Sequence, residues 1–292
     1  IAEGFLEAVA RARSEVDLDA IIELLRAGRT GAAQQVINDA IDRAGFGPLT
    51  SATRDAVIQG GALAARAASE FLPRRLEVVF DVVNPSTAEF LRSYQMTQIR
   101  ELTRETRFVV RQALIDGINA GRNPLDTARD VRAAIGLTRR QDLAVRNYRR
   151  MLEEGDSEAL RRELRDRRFD AAARRAAEEP LSRAQIEKMV GRYRERYLKY
   201  RSETIARTES IRAVQAGQQE LWRQGVQDGV FQAAQVSRAW IYTADSKVRD
   251  WHASIPDLNP DGVGLEEPFE TELGPLMYPG DPAGAPENVI TC

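Results

Sequence analysis

Apolar residues recur three and four positions apart through about the first 215 residues, the spacing that lays one apolar stripe along a helix. Leu91, Tyr94, Leu102, Val109 and Ala113 form one such stripe. Ser86 followed by Glu89 has the spacing of a capping box, in which two side chains satisfy orphan backbone donors at a helix start. Gly117 and Gly121 should weaken and end that helix. Asn123-Pro124 predicts the next start, with Asn as N-cap and Pro at the first helical position, and Gly136 predicts its close. Thr138 with Gln141 and Ser182 with Gln185 repeat the capping-box spacing, and Leu181 and Ile186 can staple the second of these. That helix should run through Met189, Tyr193 and Tyr197 to the region of Arg207. A further helix over residues 208–224 should lead into the C-terminal region.

The pattern changes near Gly225. Helical periodicity fades, and Pro, Gly and aromatic residues become frequent between 256 and 286. Residues 238–243, with Trp240, Ile241 and Tyr242, read as a strand from their aromatic and β-branched content. Asn259-Pro260-Asp261-Gly262, Pro279-Gly280-Asp281-Pro282 and Gly284-Ala285-Pro286 are turn signals. The expected fold is mainly α: an extended helical N-terminal part followed by a small, loop-rich α+β C-terminal domain. The expected segments are a helical region 1–83, a helical region 84–201 and a C-terminal domain 202–292.

Charge divides the chain in the same places. Residues 139–201 carry 19 basic and 12 acidic groups, a net +7, whereas residues 202–292 carry 6 basic and 14 acidic groups, a net −8. Such asymmetry implies different partners for different parts. The basic stretch contains Arg161-Arg162, Arg167-Arg168 and Arg174-Arg175. Two readings stand: a solvated helix laced with i,i+4 ion pairs, or a surface for DNA phosphates or an acidic partner. Its tyrosines, Tyr148, Tyr193, Tyr197 and Tyr200, fit packing better than base stacking. No apolar run approaches the roughly 18 residues of a membrane span, so no membrane partner is expected. The chain starts at Ile1 and stops at Cys292, and both ends are expected to continue further. A lone cysteine allows no disulfide within this stretch and suits a reducing compartment such as cytoplasm.

Candidate chemistry is sparse. His252 and Cys292 are the only histidine and cysteine. With Asp245 and Asp250 they supply four metal-binding groups in principle, but the spacing is not that of a zinc site. No P-loop, dinucleotide fingerprint or nucleophile elbow occurs. Arg207-Thr208-Glu209 with Glu266-Glu267 is only faintly like the Arg, Ser/Thr and Glu positions of ADP-ribosyltransferases. The simpler role for Arg207 and Glu209 is an ion pair and cap that fix their helix against the C-terminal domain. The expectation is therefore no catalytic residue, no metal and no cofactor.

The C-terminal 90 or so residues carry a more specific signal. Arg207-Thr208-Glu209 is followed by Trp240 with Asp245, then Arg249 and His252, then Pro268-Phe269, then Tyr278-Pro279-Gly280-Asp281, and finally Asn288 to Cys292. This series resembles, in order, the motifs of the phage head morphogenesis family that includes the Mu F protein. Residues 84–136 resemble the family's helical half more loosely. Residues 1–75 and 139–201 do not resemble it. Some relatives carry a Cys-x-x-Cys pair beside the Asp and a His-Pro before the final cysteines, which look like metal ligands; this chain has Val248 to His252 and the Pro-Gly-Asp turn instead, and where the family commonly ends Asn-Cys-Arg-Cys it has Thr291-Cys292.

The resemblance implies a bacteriophage minor head protein, present in few copies in the capsid interior, bound to the portal, and assembled in host cytoplasm. It would act in head morphogenesis and in DNA packaging or ejection, with the major capsid or scaffold protein and packaged DNA as further partners. Helices between residues 85 and 201 are expected to dock on the portal, and Arg161, Arg162, Arg167, Arg168, Arg174 and Arg175 are the candidate contacts to DNA or a partner. Two other readings remain open. One is an enzyme, ADP-ribosyltransferase-like or a metal-dependent hydrolase. The other is a carrier module of a bacterial toxin.

Overall fold

The computed structural model describes residues 1–71, 80, 81 and 83–290, with Ser86 described by its backbone alone. About 70% of the chain is helical and 2% strand, so the fold is mainly α. The helices are α1 (Ala2–Ser14), α2 (Leu18–Arg26), α3 (Thr30–Ala44), α4 (Gly47–Phe71), α5 (Pro85–Asn119), α6 (Pro124–Ala134), α7 (Arg139–Glu154), α8 (Asp170–Arg175) and α9 (Arg183–Gln227). A loop-rich region follows, holding β1 (Ser237–Arg238), α10 (Asp250–Ala253), α11 (Ile255–Leu258), β2 (Val263–Gly264) and α12 (Pro286–Val289).

Local signals set several boundaries. Asn123 accepts a hydrogen bond from the backbone N–H of Leu125 at 2.9 Å, and Pro124 opens α6. At α7 the Gln141 N–H donates to Thr138 Oγ1 at 3.2 Å while the Thr138 N–H donates to Gln141 Oε1 at 3.0 Å. Ser182 and Gln185 make the equivalent exchange at α9. The Ser86 side chain lies outside the described residues; the helix there begins one residue earlier, at Pro85. Gly117 lies within α5, where a Cβ would sit 2.6 Å from Thr127 of α6. It permits close packing, and the helix ends beyond it at Asn119.

Two expectations need correction. One continuous helix of 45 residues, α9, replaces the two expected on either side of Arg207, so Arg207-Thr208-Glu209 lies mid-helix and not at a start. The strand expected over residues 238–243 is confined to Ser237–Arg238, paired antiparallel with Val263–Gly264. Past Arg238 only Trp240 turns inward; Ile241 is 87% exposed.

The chain divides into two compact units, each assembled from separate stretches. The first comprises Leu49–Met96 and Thr204–Cys292, together with Ile1; the second comprises Ala2–Pro48 and Thr97–Glu203. In the first unit, Val57, Leu91 and Ala213 form one cluster and Trp240, Ile255, Phe269, Leu276 and Val289 another. Glycines let α4 and α9 touch backbone to backbone there. A Cβ at Gly217 would lie 2.3 Å from the Val57 carbonyl oxygen, and one at Gly60 would lie 2.6 Å from Val214 Cα.

In the second unit, α2 packs on α3 and α6, and α1 on α3. Phe5, Ile21, Ile37, Ile41, Leu114, Ile135, Leu137, Tyr148, Leu152, Met189 and Tyr193 are its largest fully buried side chains among the described residues. Tyr148 and Tyr193 stack at 4.3 Å between ring centroids, so these two tyrosines are core residues, whereas Tyr200 is exposed.

Candidate functional site

The motif residues of the C-terminal stretch meet in the first unit, on the face that α9 presents to residues 237–290. Residues i and i+2 of a helix point to different sides, whereas i and i+3 are neighbours. Glu209 accordingly pairs with Arg212 at 2.7 Å, and not with Arg207, which is exposed. Glu209 also accepts a hydrogen bond from the Tyr94 hydroxyl at 2.5 Å. Burial, then the Glu209 carboxylate, holds that phenol far above its ordinary range. Arg212 in turn donates through Nε to the Gly280 carbonyl at 2.7 Å. Glu209 therefore does fix α9 to the C-terminal region, through Arg212. Thr208 is buried beside it.

Tyr278-Pro279-Gly280-Asp281 forms the turn that Arg212 grips. Gly280 has φ +81°, a conformation that side chains resist. The buried Asp281 carboxylate accepts from the Met277 N–H at 2.8 Å and the Ala283 N–H at 2.9 Å, closing the turn on both sides. Burial, then the Asp281 charge, pushes Tyr278 up to about 12.

A second set of contacts ties the chain end. His252 Nε2 lies 2.9 Å from the Asn288 backbone oxygen and 3.0 Å from its Oδ1. Both partners are acceptors, so Nε2 carries the proton and donates. Asn288 Nδ2 donates to Thr271 Oγ1 at 2.9 Å, and that hydroxyl donates to the Gly274 carbonyl at 2.5 Å. The chain of donors runs one way and ends on backbone. Its chemistry is that of a clasp, with the Nε2 proton already committed. Arg249 reinforces it by donating to the carbonyls of Glu287 at 2.9 Å and Ile290 at 2.5 Å. Asp245 caps a turn, accepting from the N–H groups of Lys247 at 2.8 Å and Val248 at 3.1 Å. Cys292 lies outside the described residues. Among the described residues no three His, Cys, Asp or Glu side chains are placed to hold a metal ion.

Trp240 and Phe269 meet edge to face at 5.3 Å in the core that these contacts enclose. Phe269 also exchanges backbone hydrogen bonds with Leu276 at 2.8 and 3.0 Å. Sequence reasoning missed the residue that organises this core, Arg238. It donates to the Gly264 carbonyl at 2.9 and 3.1 Å, to Gln219 at 3.2 Å, and to the carbonyls of Met277 and Glu267. Its guanidinium lies 5.2 Å from the Phe269 ring centroid. It also missed the polar face of α9, where the buried Gln224 binds Asp81 and Thr87, and Thr87 donates to the buried Glu220. A cleft of about 750 Å³ opens beside this core, lined among others by Gln218, Trp222, Phe231, Trp240 and Tyr278.

The basic stretch lies in the second unit and is largely neutralised from within. Arg161 pairs with Glu158 at 2.9 Å, Arg168 with Asp166 at 2.6 Å, and Arg174 with Asp170 at 4.0 Å. Arg165 holds Asp170 through two hydrogen bonds of 2.9 Å. The Arg168 guanidinium, bonded to Asp166, holds that carboxyl down to about 2. Arg162 reaches Met151 Sδ at 3.7 Å. Only Arg167 and Arg175 of the six candidates are exposed without an ion pair or hydrogen bond from the side chain among the described residues. Short turns at Ser157–Arg161 and Arg167–Phe169 break the helix expected here, so several pairs form at spacings other than i,i+4.

No family model, no curated protein and no solved structure matches this chain. No helix among the described residues is long and apolar enough to cross a membrane.

Proposed function

We propose that the chain is a bacteriophage minor head protein of the Mu F-like head morphogenesis family, bound to the portal on the capsid-interior side. The observation that carries this reading is the ordered series from Arg207-Thr208-Glu209 to Asn288. Its internal use supports it: Glu209, Asp281, His252, Asn288 and Arg249 spend their hydrogen-bonding groups on holding one small unit together. A motif that serves as scaffolding would look like this. On this reading the protein acts as an assembly component.

Docking would use helices between residues 85 and 201. Phe108, Ile118 and Leu143 are large apolar side chains left exposed there, as helix-in-groove contacts require. The test is capture of the portal protein from the same phage by the full chain. Capture should survive raised salt, because screening barely touches buried apolar contacts, and should fall about tenfold or more in a Leu143→Glu, Ile118→Glu variant. Absence of capture by the native chain would overturn the proposal.

A further inference from the structure

The arginines of the second unit fall into two groups. Most are matched. Asp130 is bound by Arg122 at 2.7 Å, Arg194 at 3.1 Å and Arg149 at 3.4 Å, and Glu187 by Arg149 at 2.9 Å. A cleft of about 520 Å³ beside this group is lined by Arg13 and Ser14 of α1, Arg129, Asp130, Arg132 and Ala133 of α6, and Glu187 and Arg194 of α9. The two carboxylates on its wall are those already neutralised. The arginines are not all so placed. Arg129 and Arg132 make no ion pair and no side-chain hydrogen bond among the described residues. The buried Nε–H groups of Arg13 and Arg194 lack an acceptor. Arg13 uses only Nη2, donating to the carbonyls of Ala133 at 2.9 Å and Ile135 at 2.8 Å, at the C-terminal end of α6.

An unpaired buried donor is destabilising, and guanidinium groups crowded on one wall repel each other. Burial, and then the charges of Arg194 and Arg132, lowers the Arg13 pKa to about 10. A compact anion with several acceptor oxygens would relieve the repulsion and accept from the unpaired Arg129 and Arg132. The planar fork of arginine matches phosphate oxygens better than any other side chain does.

We propose that this cleft is a phosphate-binding site, with Arg129 and Arg132 as its primary anchors and Arg13 and Arg194 as its inner wall. The ligand is a phosphate group, carried by a nucleic-acid backbone or by a small free polyphosphate. The site is distinct from Arg161 to Arg175, whose charges are mostly spent on neighbouring acids. The inference does not depend on the head-protein reading.

The test is calorimetric titration of the full chain with inorganic pyrophosphate and, separately, with a short DNA duplex at low salt. Binding should weaken by about tenfold in an Arg129→Gln, Arg132→Gln variant and fall with added salt as counterions cease to drive it. Arg54→Gln, Arg66→Gln, at exposed positions of the first unit, should leave it unchanged. Binding of both probes assigns the site to nucleic acid, and binding of pyrophosphate alone assigns it to a free ligand. If circular dichroism finds the double variant misfolded, Arg129→Gln alone, at an exposed position, carries the test with a smaller loss of about threefold. No binding of either probe, or binding that the variants leave undiminished, would overturn the proposal.

Discussion

Arg238 in the first unit and Arg132 in the second are the same side chain in opposite circumstances. Arg238 spends its donors on the carbonyls of Gly264, Glu267 and Met277 and on Gln219, and its flat face on Phe269. Arg132 spends none on the described residues. The contrast extends to the units around them. In the first, most buried polar groups come with matched partners, Trp251 Nε1 being an exception: Glu209 with Tyr94 and Arg212, Gln224 with Asp81 and Thr87, His252 with Asn288. In the second, burial leaves charge imperfectly matched. Asp142, 4% exposed and 3.0 Å from the Arg146 guanidinium, is still pushed up to about 6 by burial against the pull of Arg194, and Arg13 is pulled down to about 10. Matched polar groups hold a shape; unmatched ones store a cost that a ligand or proton can remove.

The comparison predicts that removing a group from the first unit destabilises it, while removing a charge from the second can stabilise it. The largest effect should come from Trp240→Ala, which opens a cavity against Phe269 and Ile255 and should cost about 3–5 kcal/mol in denaturant titration. Trp222 and Trp251, the other two tryptophans of the chain, also belong to the first unit, so fluorescence follows it selectively. A loss within about 0.5 kcal/mol would mean that this core does not hold the unit. Arg238→Met keeps the apolar stem but leaves three carbonyls without their donor, and should cost about 2–3 kcal/mol by the same measurement. An unchanged midpoint would remove the distinction between the two arginines.

Asp142→Asn sharpens the contrast from the other side. The folded pKa of about 6 lies above the ordinary 3.8, so the folded state holds the proton more tightly than the unfolded one. The wild-type chain carries the full cost of a buried charge above pH 6 and loses it as pH falls from about 6 towards 4. Arg146 keeps Asp116 as its partner in the variant, which should thus be more stable than wild type by about 3 kcal/mol at pH 7, with the gap closing below pH 4. Melting followed by circular dichroism across that range checks it. A variant less stable at pH 7 would contradict the assignment.

What could be read from the sequence was what local spacing encodes. Thr138 with Gln141, Ser182 with Gln185 and Asn123-Pro124 mark helix starts because each cap closes within three residues. The union of two expected helices into α9 escaped because nothing stops a helix between Tyr197 and Thr208; Arg207-Thr208-Glu209 has cap-like composition but no unsatisfied donors to cap. The strand at 238–243 failed for want of a partner: β2 offers only Val263 and Gly264. Arg238 was illegible because its partners lie 19 to 39 residues away and are mostly carbonyls, which every residue possesses. The cleft at Arg132 was illegible for a related reason: α1, α6 and α9 bring together arginines from positions 13, 129, 132 and 194.

The proposal that this chain sits at the portal inside a phage head is tested most directly by cross-linking mass spectrometry on purified DNA-filled heads of a phage whose genome carries its gene. The account predicts cross-links from residues 85–201 to portal protein and none to reagents restricted to the outer capsid surface. Abundant labelling from outside, or absence of the chain from purified heads, would contradict it.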